Sequence, residues 1–111
     1  MSINKYEQIR KRINLHVQHT MEYCKGISHD EFLANQMLQE ACIFNVLQIG
    51  ELAAKAIEYG LDEEHPEIEW RQMRGMRNRI VHDYGNVDLG IVYSTLKDDI
   101  PELLEMIESD E

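Results

Sequence analysis

Apolar residues recur at steps of three and four along the first quarter of the chain, which is the spacing of one helix face. The stripe is formed by Tyr6, Ile9, Ile13, Val17, Thr20 and Cys24. It predicts a helix from about residue 3 to about residue 25, ended by Gly26. Ser28 and Glu31 then have the spacing of a capping box, so we expect a second helix to begin near residue 29.

The longest helical signal runs from Ala34 to Glu58. Its middle, residues 41–47, is apolar around almost the whole circumference, which predicts a central helix with neighbours on more than one side. Gly60 should end this helix. Residues 61–67 are acidic and contain Pro66, so they are predicted to form an exposed connection.

Two further helices are predicted in the last third of the chain. The first should begin between Ile68 and Trp70 and stop at Gly85-Asn86; its apolar side carries Trp70, Met73, Met76, Ile80 and Tyr84. Asp88 can cap the last helix, in which Pro101 predicts a kink or a break. No segment alternates convincingly with period two. We therefore expect an all-α fold, a four- to five-helix up-and-down bundle that forms one domain over residues 1–111, with no sheet.

Composition limits the class of protein. At 111 residues and 13.1 kDa the chain has room for one domain. No apolar run has the length of a membrane span and the first residues lack the apolar stretch of a signal peptide, so we expect a cytoplasmic protein. Cys24 and Cys42 belong to no Cys-x-x-Cys or Cys/His cluster and are predicted to be reduced core thiols. Five methionines fall on apolar stripes and are predicted to pack in the core: Met21, Met37, Met73, Met76 and Met106.

The net charge of −10 argues against nucleic-acid binding, but the charge is unevenly distributed. Four arginines lie within nine positions: Arg71, Arg74, Arg77 and Arg79. Residues 5–12 contain a second basic group, whereas acidic residues collect at 62–69 and 98–111. Such a molecule would hold polyanions at one cleft and repel them elsewhere. The favoured interpretation of the terminal acidic run is a solvated helix face.

The candidate catalytic residues lie at the end of the helix predicted to begin between Ile68 and Trp70, which is called the motif helix below. Arg77 and His82 are five positions apart and Tyr84 follows. A guanidinium stays protonated and binds phosphate charge, whereas an imidazole with a pKa near ~6.5 exchanges protons in both directions. This division of roles suits phosphodiester cleavage. On a straight helix the two side chains would diverge by about 140°.

Each chain supplies only one histidine, His82, in the group formed with Arg77 and Tyr84, whereas a full acid/base cycle requires two proton-transfer groups. We therefore expect a two-fold homodimer that places two copies of Arg77, His82 and Tyr84 around one cleft. A structural ion-pair role for Arg77 and His82 is the alternative. His16 and His19 lie three apart and could share a metal ion, but the sequence places no third ligand, so we predict surface histidines and no metal site.

The segment Gly75 to Asp88, with its R-x4-H-x-Y pattern, resembles the HepT-like ribonuclease toxins of the HEPN superfamily, and the resemblance covers nearly the whole chain. Residues 45–51 resemble the central helix of that family and residues 65–70 the lead-in to its motif helix. Glu69 stands where the family often has a second proline, which leaves the start of the motif helix open. The resemblance implies a helical, dimeric ribonuclease that cuts RNA without a metal ion or cofactor.

Carried over by position, the resemblance makes Arg77 and His82 the catalytic residues, and Asn78 matches the polar residue that follows the motif arginine. Arg74 and Arg79 are expected to support these residues or to bind substrate. The family also implies a partner, a minimal nucleotidyltransferase antitoxin that attaches adenylate to Tyr84. A Tyr84 ring packed on the bundle, with its hydroxyl bound to arginine or phosphate, is an equal alternative.

Two functions stay open at this point. The first is a ribonuclease toxin that acts on RNA and is neutralised by the nucleotidyltransferase. The second is a non-catalytic HEPN module that binds nucleotide or serves as the helical partner of a nucleotidyltransferase. In the second case, Arg77 and its neighbours would form only an anion site.

Overall fold

A computed structural model describes residues 4–83 and 86–109, with side chains for all of these except 81–83, 86 and 109. In chain order the helices are α1 (Lys5–Tyr23), α2 (His29–Leu33), α3 (Gln36–Glu58), α4 (Leu61–Glu64), α5 (Trp70–Ile80), α6 (Leu89–Ser94) and α7 (Ile100–Ser109). A π-helical turn, Thr95–Asp99, joins α6 to α7 and keeps the backbone helical between them. The fold is all-α, as predicted, with three long helices and this composite one.

The long helix α3 is the centre of the bundle. It packs against α1 on one side and α5 on the other, and α7 closes the bundle against α1. The fully buried side chains come from all of these helices and include Ile13, Ile49, Met76 and Leu103. The predicted central position of α3 is therefore confirmed.

Side-chain caps fix where several helices begin. The Ser28 hydroxyl accepts from the Glu31 amide and the Glu31 carboxylate accepts from the Ser28 amide, so the predicted capping box is present. These contacts with Ser28 lower the pKa of Glu31. Asn35 caps α3 through the amide of Leu38, and Asp88 caps α6 as predicted.

The connections differ from prediction at two places. Residues 61–67 are not a wholly exposed connection, because Leu61–Glu64 form a helical turn and Leu61 is buried. The motif helix was expected to reach Gly85-Asn86, but it ends at Ile80. Beyond it, strand β1 (Val81–Asp83) pairs antiparallel with strand β2 (Asn86–Val87), with Val81 opposite Val87. The expectation of no sheet thus misses one two-stranded ladder, where β-branched residues favour extended backbone and the chain reverses toward the cap of α6.

The two cysteines and most methionines occupy the predicted core positions. Cys24 and Cys42 are buried free thiols with their sulfurs 3.2 Å apart in a hydrogen bond, which lowers the pKa of Cys24 and raises that of Cys42. Met73 and Met76 are fully buried. The prediction is wrong for Met37, which is 81% exposed because it lies in the first turn of α3. None of the helices described is long and apolar enough to cross a membrane.

Helix α5 approaches α3 closely at Gly50. A Cβ atom added at Gly50 would lie 3.0 Å from the Cβ of Arg77 and 3.5 Å from the carbonyl oxygen of Met73. Side chains rarely pack that tightly, so the missing side chain is what lets the two helices meet at this distance. At Gly75, in the middle of α5, an added Cβ would meet no heavy atom of the described residues within 4 Å, so no such constraint applies there.

These two glycines should respond in opposite directions to the same substitution. Gly50→Ala gains up to ~1 kcal/mol of helix propensity but meets overpacking of ~1–3 kcal/mol, so we expect a net loss of about 1 kcal/mol in the free energy of unfolding. Gly75→Ala should raise it by ~0.5–1 kcal/mol. Urea unfolding followed by circular dichroism measures both values. Stabilisation of similar size by both variants would contradict the close approach at Gly50.

Candidate active site

Helix α5 separates apolar from cationic residues. Its buried side consists of Trp70, Met73, Met76 and Ile80, spaced by three and four. The indole of Trp70 donates to the carbonyl oxygen of His65 at 3.0 Å, which holds the start of the helix against the preceding loop. The exposed residues of the helix include Arg71, Arg74, Asn78 and Arg79, and Arg77 is exposed at the edge of the side that faces α3. The motif helix therefore begins within the predicted range and presents its arginines to solvent.

Arg77 lies in the last turn of α5 and forms an ion pair with α3. Its Nη1 is 2.8 Å from Oε1 of Glu51, and the two side chains are 55% and 52% exposed. Glu51 follows directly on Gly50, so the position that lets the helices meet also brings this carboxylate within reach of the guanidinium. Sequence reasoning assigned no role to Glu51, since the two partners are 26 positions apart and no local spacing connects them.

The helix does not continue from Arg77 through His82. It stops at Ile80, and the backbone of His82 belongs to β1. The divergence expected for a straight helix therefore does not apply. The side chain of His82 and the whole of Tyr84 lie outside the described residues, so their predicted roles stay predictions.

The neighbouring arginines divide into two kinds. Arg79 pairs with Asp99 of the π-helical turn at 2.5 Å, and Arg71 pairs with Asp62 of α4 at 3.2 Å, so both tie α5 to flanking elements. Arg74 has no ion pair within the part of the chain that the structure describes. Arg74 and Asn78 are one turn apart on the exposed side of α5 and form a polar row there.

Acidic residues from the two predicted runs meet at a separate surface. Glu67 and Glu69, just before α5, share a cavity of about 890 Å³ with Glu102, Glu105 and Glu108 of α7. The glutamates of α7 are exposed to solvent, as a solvated helix face requires. Acid and base are thus segregated, as their distribution in sequence indicated, and a polyanion is repelled from the α7 surface.

One of the two histidines of α1, His16, does not lie at the surface as predicted. Nδ1 of His16 donates to Oδ1 of the buried Asn45 at 2.8 Å, so His16 is a partly buried, bonded residue, and the surface interpretation is wrong for it. The ring of His19 stacks on Tyr23. Among the residues with described side chains, no three of His, Cys, Asp or Glu are grouped closely enough to hold a metal ion.

Comparison with known proteins shows what this chain is similar to. A family model described as "Ribonuclease HepT-like" matches residues 13–109. The "Probable ribonuclease HepT" of Thermococcus cleftensis is 38% identical over 97 residues, which are 87% of this chain and 84% of that protein. The "Putative RNase MJ1380" of Methanocaldococcus jannaschii is 32% identical over 79% of this chain and 80% of its own length. The "Putative RNase TTE0752" of Caldanaerobacter subterraneus is 29% identical over 83% and 88%. No solved structure gives a significant match.

The ion pair of Arg77 can be tested through its competition with phosphate. In Glu51→Gln the guanidinium loses its carboxylate partner, so an oligonucleotide phosphate no longer has to displace it. An exposed pair is worth ~0.2–1 kcal/mol, so we expect the oligonucleotide Kd to fall by up to about five-fold, measured by fluorescence anisotropy.

The matched control is Asp62→Asn, which removes one negative charge and releases Arg71 at the other end of the same helix. It should leave the Kd almost unchanged. Equal tightening in both variants would show that net charge alone, and not release of Arg77, governs the affinity.

Proposed function

Because the chain belongs to the HepT-like ribonuclease family, we propose that it is a metal-independent RNA endonuclease whose active site is shared across a homodimer. The observation that carries this proposal is the state of Arg77. Its guanidinium is half-exposed at the end of the motif helix and paired with the carboxylate of Glu51, which a phosphate can replace. Arg77 is thereby ready to bind a phosphodiester and is oriented before the substrate arrives.

RNA carries its own nucleophile, which makes a metal ion unnecessary for this reaction. The 2′-hydroxyl lies next to the phosphate and needs deprotonation and an in-line approach. We assign removal of the 2′-hydroxyl proton to His82 of one protomer and protonation of the leaving 5′ oxygen to His82 of the other. Arg77 stabilises the charge that develops on the phosphorane. DNA, which lacks the 2′-hydroxyl, should be a poor substrate.

The surface of the monomer supports a dimer of this kind. Phe44 and Met37 of α3 are 57% and 81% exposed, and Phe44 lies two turns from Glu51 on the same helix face. The exposed side of α5 is cationic, so two such faces would repel without an apolar contact or an anion between them. A second copy seated on the apolar part of α3 would supply the contact and leave the arginines around a shared cleft.

The positions of Arg74, Asn78 and Arg79 on α5 suggest how each would support Arg77. Arg74 and Asn78 lie on the exposed side of α5 and are proposed to contact phosphates next to the scissile one. Arg79 has a carboxylate partner in Asp99, so its contribution to substrate binding requires that it leave this ion pair. Its first role is therefore to hold α5 to the π-helical turn.

The finer biological role rests on the family resemblance. We propose that the chain is the toxin of a toxin-antitoxin pair and that a minimal nucleotidyltransferase is its antitoxin. Adenylate attached to Tyr84 would add negative charge and bulk close to the motif and would oppose the binding of RNA phosphate.

Loss of the motif histidine should abolish cleavage while the fold persists. We expect His82→Ala to lower the rate of RNA cleavage by ~10²–10⁴, the usual contribution of a general acid or base, and Arg77→Ala to lower it by a similar factor. His29→Ala, an exposed histidine on α2, is the control and should keep the full rate. Gel assays on labelled RNA, with circular dichroism for folding, make the measurement. Full activity in His82→Ala would remove the catalytic assignment and leave the non-catalytic module.

An active site shared by two protomers also predicts how activity depends on the proportion of His82→Ala chains in a mixture with unsubstituted chains. If both histidines of a dimer are needed, co-refolding the unsubstituted chain with an equal amount of His82→Ala should leave about one quarter of the activity of the same total amount of unsubstituted dimer. Independent sites would leave about half. Titration of the mixing ratio separates a quadratic dependence from a linear one, and a linear result would exclude the shared cleft.

A further inference from the structure

A groove of about 190 Å³ runs between α1 and the C-terminal half of α3. Its apolar residues are Ile9 and Leu52, and its charged residues are Lys5, Arg12 and Lys55. Among the residues that the structure describes, no carboxylate lines it, although the chain as a whole carries a net charge of −10. A local charge of three cations in so acidic a protein marks this groove as a place where anions are attracted.

The cations of the groove are available to a ligand. Arg12 and Lys55 are exposed, and neither forms an ion pair with any side chain that the structure describes. The ammonium of Lys5 lies 4.0 Å from the ring centroid of Tyr59, at the wall of the groove. Tyr59 is 45% exposed, so a planar ligand group can stack on its ring if the Lys5 ammonium moves away.

The groove continues the surface that holds Arg77. Glu51, Lys55 and Tyr59 are spaced by four along α3 and its C-cap, so they lie on one face of the helix. Glu51 contacts Arg77, which places Lys55 about 6 Å and Tyr59 about 12 Å farther along the same face. A strand bound at Arg77 therefore reaches the groove after one or two nucleotides.

We propose that this groove is a second binding subsite, for the single-stranded RNA that flanks the scissile linkage. Lys55 and Arg12 bind its phosphates, and a base stacks on Tyr59 in place of the Lys5 ammonium. A cationic track with an aromatic platform is how proteins bind single-stranded nucleic acid without reading its sequence. An acidic peptide would use the cations but would have no need of the exposed ring, which favours RNA. The proposal rests on the proposed ribonuclease function and assigns the part of the substrate beyond the reacting phosphate.

The first test measures the salt dependence of binding. The probe is a single-stranded 2′-O-methyl RNA of about twelve nucleotides, which lacks the nucleophilic hydroxyl; its length lies within the site size of single-strand binding proteins. Arg12→Gln and Lys55→Gln should each weaken binding and reduce the slope of log Kd against log salt by about 0.7, the value for one phosphate contact on a single strand. Lys25→Gln, an exposed lysine just beyond the other end of α1, removes the same charge outside the groove and should leave the slope unchanged.

The second test separates stacking from charge. Tyr59→Leu should weaken binding of the same probe by between about 5-fold and 150-fold, from ~1–3 kcal/mol per stacked base, with the salt slope preserved. A dinucleotide extends only one nucleotide beyond a phosphate held at Arg77 and so does not reach Tyr59; it should bind equally well to the unsubstituted chain and to Tyr59→Leu. Thermal unfolding checks that each variant is folded.

The outcomes distinguish this proposal from the one it rests on. RNA cleavage by the unsubstituted chain, combined with groove variants that bind the long probe normally, overturns the subsite and leaves the ribonuclease intact. Absence of cleavage under all conditions overturns the proposed function itself. Normal RNA binding together with loss of a protein partner from Arg12→Gln and Lys55→Gln would make the groove a protein-docking surface and would also overturn the RNA subsite.

Discussion

The close approach of α5 to α3 at Gly50 is the constraint on which the structure depends. Because Gly50 has no side chain, α5 can bury Met73 and Met76 in the core while the Cβ of Arg77 lies close to α3. The next residue, Glu51, then meets the guanidinium at 2.8 Å. One contact between helices thus affects both the packing of the bundle and the orientation of the guanidinium that we propose binds phosphate, so a change in the core at this point is also a change in the candidate site.

Acidic and basic residues lie on different surfaces of this bundle, so the net charge of the chain does not describe the charge of each surface. The glutamates before α5 and those of α7 share one cavity, whereas the charged residues described along the groove between α1 and α3 are all cations. Two of the α5 arginines, Arg71 and Arg79, form ion pairs with carboxylates of flanking elements. A net charge of −10 is therefore compatible with polyanion binding, since repulsion from the acidic surface directs a strand toward the cationic one.

The helices could be predicted because the spacing of their apolar residues and caps is local information, as the Ser28 and Glu31 capping box shows. The end of α5 could not, because it depends on backbone pairing between Val81–Asp83 and Asn86–Val87. The sequence likewise predicted a chemical role for Arg77 but missed its ion-pair partner Glu51, which the packing of α5 on α3 supplies from 26 positions away. The positions of the His82 and Tyr84 side chains lie outside the described residues.

Because Arg77 is half-exposed in the monomer, a cleft shared by two subunits would change the surroundings of this arginine as well as the number of histidines at the site. In the monomer the guanidinium and Glu51 are each about half-exposed, so exchange of the carboxylate for a phosphate involves little change in solvation and little gain. In the proposed dimer a second subunit covers the same groups and excludes water. Coulomb attraction then acts in a medium of lower effective dielectric, which strengthens the interaction of Arg77 with the charge that develops on the phosphorane. Assembly would therefore supply the second proton-transfer group and raise the effectiveness of the arginine in the same step.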